Sequence, residues 1–132
     1  MAIADIPLFL TAKKINGDKV INMAGEHLGK IEDLMIDLEN GRVAYAVLSF
    51  GGFLGMGNKL FAIPWRAIEL KLYEHTLIIT LNVDKEVLKK AEGFDKDKLP
   101  LTHEELFKVY KHYGYEPYWQ TSRVEQTGFS RI

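Results

Sequence analysis

The chain has 132 residues, with 17 Lys and Arg against 18 Asp and Glu, so it is sized for one compact domain and lacks the positive charge of a strong polyanion binder. It contains no cysteine, which excludes disulfides, thiolate nucleophiles and cysteine-based metal sites. No run approaches the roughly 18 apolar residues of a membrane span, and the apolar opening lacks a basic leader, so we expect a cytoplasmic protein without membrane insertion.

Residues 8–81 form short apolar runs separated by Gly, Asn and charged turns, a pattern typical of a small sheet or barrel with many strands. Asn40 and Gly41 separate two of these runs and predict a tight type I′ hairpin, because both residues tolerate a positive φ. The following run, 43–50, is apolar on both of its alternating faces, which suits a strand covered on both sides in a closed barrel or an oligomer. We predict about six strands, at 8–15, 34–38, 43–50, 59–65, 68–72 and 76–81.

Beyond residue 81 the apolar period becomes helical. A short helix is predicted around Val87 to Ala91, and Asp84 precedes it in the sequence. A second helix has clearer ends, because Thr102 and Glu105 make a capping-box pattern and Gly114 supplies a stop signal. We therefore divide the chain into a β domain (8–81), a helical and aromatic extension packed on it (82–119) and a mobile polar tail (120–132).

The glycine-rich stretch 51–57 has the composition of a phosphate-binding loop without its context. The glycine spacing differs from that of nucleotide-binding loops, and the next segment is a predicted strand rather than a helix. We interpret it as a connection between strands. Its tip is apolar, with Phe53, Leu54 and Met56, and exposed apolar loop residues are typical of a contact surface.

No set of catalytic, cofactor-binding or metal-binding residues emerges from the remaining polar positions. Asp33, Asp37 and Glu39 are interpreted as solvated strand and turn carboxylates, since Asp33 and Asp37 would lie about 13 Å apart along a straight strand. His103 and His112 fall on opposite faces of the predicted helix and cannot form a local metal pair.

Aromatic residues concentrate near the end of the chain, and they have two interpretations. The favoured one is that their rings pack the helix and the following segment onto the β domain. The alternative is a contact surface at Tyr115, Tyr118 and Trp119, for a protein rather than a nucleic acid, because few basic residues are interleaved. The cluster consists of Tyr110, Tyr113, Tyr115, Tyr118 and Trp119.

Four segments in order, 25–37, 41–55, 61–65 and 113–119, closely resemble the PRC-barrel family. The resemblance implies a mainly β fold, a small six-stranded PRC-type barrel with a short C-terminal helical extension. Similar modules occur in the photosynthetic reaction-centre H subunit and in a ribosome maturation factor. The family brings no catalytic residues, and its single-domain members tend to self-associate.

These observations lead to one expected function and one alternative. We expect a non-enzymatic adaptor, a homodimer without cofactor that presents the 51–57 loop, and in the second interpretation the aromatic tail, to an unknown protein partner. The alternative is an accessory factor for ribosome or RNA processing, favoured by the resemblance and opposed by the balanced charge. An enzyme with a small-molecule pocket is the least favoured class.

Overall fold

The computed structural model describes residues 9–50 and 59–121. The six strands are β1 (Lys19–Asn22), β2 (His27–Asp37), β3 (Arg42–Ser49), β4 (Leu60–Pro64), β5 (Ile68–Tyr73) and β6 (Thr76–Leu81). The α-helices are α1 (Ala12–Ile15), α2 (Lys85–Lys89), α3 (His103–Tyr113) and α4 (Tyr118–Thr121), and 3₁₀ turns occur at Trp65–Ala67 and Lys96–Lys98.

All six strands belong to one sheet, in the order β4-β3-β2-β1-β6-β5. Its pairs are antiparallel except for β1 and β6, which run parallel. The two outer strands, β4 and β5, are consecutive in the chain. Pro64 ends β4 and Ile68 begins β5, so their Cα atoms are at most about 15 Å apart. The outer strands of a flat six-stranded sheet would lie about 24 Å apart, so this sheet is strongly curled. Within the described ranges β4 and β5 share no ladder, and closure of the predicted barrel stays a prediction.

Strand β3 is buried on both faces, and the structure shows what covers each one. One face contributes Ala46 and Leu48 to a core formed by the curled sheet with α1 and α2. The other face contributes Ala44, Tyr45 and Val47 to a second cluster. That cluster is completed by side chains of α3 and α4, namely Leu106, Val109, Tyr110 and Tyr118. The two-sided apolar pattern is therefore explained within one chain and gives no evidence for an oligomer.

The first predicted strand, 8–15, is wrong. Residues 12–15 form α1, and the Thr11 hydroxyl accepts the backbone N–H of Lys14 at 3.2 Å as its N-cap. The sixth strand is β1 instead, a segment with only two apolar residues. Its Val20 is fully buried because β1 lies between β2 and β6, a parallel pairing with β6 that no local pattern predicts.

The type I′ prediction at Asn40-Gly41 is also wrong. Gly41 has a φ of 63°, but Asn40 is not among the residues with positive φ. The turn with two positive φ values lies between β5 and β6, at Glu74 (49°) and His75 (70°). Tyr73 and Thr76 pair directly on either side of it, so the strand twist imposes the I′ geometry on residues that do not favour it.

The predicted second helix is confirmed as α3. The Thr102 hydroxyl accepts the Glu105 backbone N–H at 3.1 Å, and the Glu105 carboxylate accepts the Leu101 N–H at 2.8 Å. Gly114 ends the helix with a φ of 79°. These local bonds fix the ends of α3, and its apolar side chains pack against the second face of β3.

Candidate functional site

A buried carboxylate ends β2 and begins the β2–β3 hairpin. Asp37 is 8% exposed. Its Oδ1 accepts the backbone N–H groups of Glu39 at 2.8 Å and Asn40 at 2.9 Å, as Asp commonly does in turns. The Asn40 side-chain amide donates to Oδ2 at 3.0 Å. Asp37 therefore shapes the hairpin locally.

Two side chains from the C-terminal helices reach the same carboxylate. The Tyr118 hydroxyl donates to Oδ2 of Asp37, and His103 Nε2 lies 2.6 Å from that oxygen. These partners are 81 and 66 residues away in the sequence. Asp37 thus joins the hairpin to α3 and α4.

Hydrogen bonding governs the ionisation of this cluster. Burial by itself raises the pKa of the Asp37 carboxyl, but the bonds from Tyr118, His103 and Asn40 outweigh burial and hold that pKa well below its usual range. Burial and the bond to Asp37 raise the pKa of the Tyr118 hydroxyl. At neutral pH an ionised carboxylate therefore accepts a bond from a protonated tyrosine.

Aromatic rings pack around the carboxylate. The Trp119 indole stacks on the His103 imidazole, with ring centroids 4.7 Å apart and an interplanar angle of 17°. The same indole meets the Tyr110 ring edge-on at 5.3 Å. The Arg42 guanidinium lies 4.1 Å from the centroid of the Tyr118 ring, a cation–π contact from β3. These contacts hold α4 against the hairpin.

The predicted contact residues have different positions. Tyr118 is buried, while Tyr115 and Trp119 are half-buried, and the Tyr115 hydroxyl donates to the Asn82 carbonyl at 3.3 Å. All three aromatic residues therefore make contacts within the fold, and their contact with a partner stays a prediction. The predicted loop residues Phe53, Leu54 and Met56 lie outside the described residues.

An apolar groove, which we call the hairpin groove, lies beside the Asp37 cluster. It has a volume of about 400 Å³ and runs between residues 35–39 with 44–45 and residues 100–103 with 106. Three apolar side chains in its lining are open to solvent: Ile36 is 52%, Leu38 94% and Leu101 77% exposed. Clustered exposed apolar side chains are typical of a contact surface.

The interpretation of Asp37 as a solvated carboxylate is wrong, whereas Asp33 and Glu39 are exposed. The local sequence gives no sign of burial, because the side chains that cover Asp37 come from α3 and α4. The hairpin groove was missed for the same reason. Its exposed leucines, Leu38 and Leu101, are 63 positions apart in the sequence and line one groove only in the folded chain.

The described side chains around Asp37 do not form a metal site. Across residues 9–50 and 59–121, no three His, Asp or Glu side chains are grouped as a metal site requires. Asp37 and His103 form a hydrogen-bonded pair instead. In that part of the chain, no helix combines the length and the apolar character needed to cross a membrane.

The PRC-barrel domain model matches residues 9–86. The chain belongs to the PRC-barrel domain family. The matched range contains all six strands and Asp37, whereas His103 and Tyr118 lie beyond it. One wall of the hairpin groove is therefore part of the PRC-barrel domain, and the other belongs to the segment that follows it. A search of curated proteins gives no match.

Proposed function

We propose that the protein is a non-enzymatic adaptor that binds a protein partner through the hairpin groove. The PRC-barrel domain suggests a protein-interaction or assembly module in general. The observation that carries the proposal is the groove itself, with Ile36, Leu38 and Leu101 exposed around about 400 Å³ of space. Covering these apolar side chains with a partner removes them from water, which makes the free energy of binding more favourable.

The charges in the groove indicate the chemistry of the partner. Its lining contains two carboxylates, Asp37 and Glu39, and the imidazole of His103, and the described lining contains no Lys or Arg. A short apolar segment flanked by a basic residue complements this arrangement, because a cation beside Glu39 meets a favourable potential.

The contacts of Asp37 support a structural role for this residue in one wall of the groove. Its carboxylate oxygens are contacted by five donor groups from Glu39, Asn40, His103 and Tyr118. A carboxylate engaged in this way positions the hairpin and α4.

Self-association in the cytoplasm is a second part of the proposal. It rests on the apolar composition of the 51–57 segment, with Phe53, Leu54 and Met56, and on the tendency implied by the family resemblance. Sedimentation velocity over a range of protein concentrations measures it, and a monomer at every concentration contradicts it.

The groove is tested by affinity capture from native lysate with the tagged full chain and two variants. Leu38→Asp places a charge among the apolar side chains of the groove. Met23→Asp is the matched control, because Met23 is 70% exposed and lies beyond the opposite end of β2. We expect the wild type and Met23→Asp to retain the same proteins, and Leu38→Asp to lose them, because buried apolar contacts dominate such interfaces.

Two outcomes contradict the proposal. Identical sets of retained proteins for all three forms remove the groove from the interaction. Loss of the retained proteins on nuclease treatment supports the RNA-linked alternative instead. Binding through RNA should also weaken steeply as the salt concentration rises.

A further inference from the structure

The chain leaves the described fold beside the hairpin groove. Trp119 stacks on His103, and His103 lines the groove. Helix α4 ends two residues later at Thr121, which is at most about 8 Å from Trp119 between Cα atoms. Residues 122–132 therefore begin close to the rim of the groove.

The composition of residues 122–132 complements that groove. The segment carries apolar Val124, Phe129 and Ile132, and two arginines, Arg123 and Arg131, against one glutamate. Phe129 is its only aromatic residue. It thus has the apolar and basic chemistry that the lining of the groove favours in a partner.

The segment is also long enough to fill the groove. Phe129 is eight residues beyond Thr121, a reach of up to about 28 Å, whereas Ile36 and Leu38 are about 7 Å apart along the strand. The groove volume of about 400 Å³ lies in the range of pockets that enclose small ligands, about 300–1,000 Å³. One aromatic side chain with its neighbours fits this space.

We propose that residues 122–132 of the same chain occupy the hairpin groove, with Phe129 among Ile36, Leu38 and Leu101 and with Arg131 beside Glu39. The inference rests on the proposed function, because it makes the segment an internal competitor of the partner. A partner then binds only the fraction of molecules whose groove is open, which weakens its apparent affinity by that fraction.

Disulfide trapping in the full chain tests this contact directly. Because the chain has no cysteine, a Leu38→Cys and Phe129→Cys double variant contains a single pair of thiols. Glutathione disulfide oxidises the two thiols to one disulfide and is itself reduced to two glutathione molecules. The control is a Met23→Cys and Phe129→Cys double variant, in which position 23 is exposed and does not line the groove.

We expect a disulfide within one chain, seen at monomer mass, that forms about tenfold faster in the Leu38 pair than in the control, because docking raises the local thiol concentration. Equal rates in the two pairs overturn the inference. A product at dimer mass also overturns it and assigns the groove to a second copy of the chain.

A second measurement separates this inference from the proposed function. Phe129→Asp in the full chain should strengthen capture of the partner set severalfold, because it empties the groove. If Phe129→Asp changes nothing while Leu38→Asp abolishes capture, the internal contact is disproved and the adaptor function stands. If trapping succeeds but Leu38→Asp leaves capture intact, the internal contact stands and the proposed function fails.

Discussion

Replacing Asp37 with Asn tests whether the buried carboxylate holds the C-terminal helices on the hairpin. The Asn side chain keeps its size, and its oxygen can still accept from the backbone of the turn. The substitution replaces Oδ2 with an amide nitrogen. The contacts of Oδ2 with Tyr118, His103 and the Asn40 amide are therefore lost. One hydrogen bond to a charged group contributes about 1.5–3 kcal/mol. Bonds to one atom are not additive, so we expect a loss of about 3 kcal/mol in the free energy of unfolding, or about 10 °C in Tm.

Urea denaturation followed by circular dichroism at pH 7 measures the loss. Asp33→Asn is the matched control. Asp33 lies on the same strand and is exposed, and its carboxylate accepts the backbone N–H of the adjacent Leu34 at 2.8 Å. Exposed substitutions of this kind change the free energy of unfolding by about 0.5 kcal/mol or less.

The pH dependence gives an independent check. Folding lowers the pKa of Asp37, so its contribution is fully present above its unfolded-state pKa, about 3.9, and is lost as the pH falls towards the folded-state value. The difference in stability between wild type and Asp37→Asn should still be large at pH 5 and shrink towards pH 2. Equal losses for Asp37→Asn and Asp33→Asn, or a difference that persists unchanged at pH 2, would refute the reasoning.

The remaining predictions concern buried hydroxyls and one close backbone approach. Tyr113→Phe should raise the free energy of unfolding by about 1 kcal/mol, because this buried hydroxyl has no hydrogen-bond partner in the described part of the chain. Tyr110→Phe should lower it by about 1 kcal/mol, because its hydroxyl donates to the Ala44 carbonyl at 2.7 Å; shifts of the same sign in urea denaturation would contradict this pair. Gly29→Ala should cost about 3 kcal/mol or more, because a Cβ there would lie 1.8 Å from the Ser49 carbonyl oxygen. An unchanged thermal midpoint for Gly29→Ala would show that β2 and β3 do not approach so closely.

The hairpin groove depends on the same carboxylate. Its two walls are the β2–β3 hairpin and residues 100–103 with 106, and the contact between Asp37 and His103 connects them. Loss of that contact removes a constraint on the width of the groove. A substitution at Asp37 is therefore expected to weaken the partner interaction as well as the fold, whereas Leu38→Asp changes the groove at a side chain that is 94% exposed.

Sequence alone predicted the elements whose signals are local. Helix α3 was located because Thr102, Glu105 and Gly114 determine its ends through bonds to nearby backbone groups. The β-rich class and the family followed from alternating apolar runs and from motifs that keep their order and spacing. These features need no knowledge of what lies across the sheet.

Only the tertiary structure decided the features that depend on distant residues. Strand β1 was missed because its burial comes from pairing with β6, more than 50 residues later. The burial of Asp37 depends on Tyr118 and His103, which are 81 and 66 residues away. A carboxylate is solvated or buried according to the donors that surround it, and packing, not local propensity, brings those donors together.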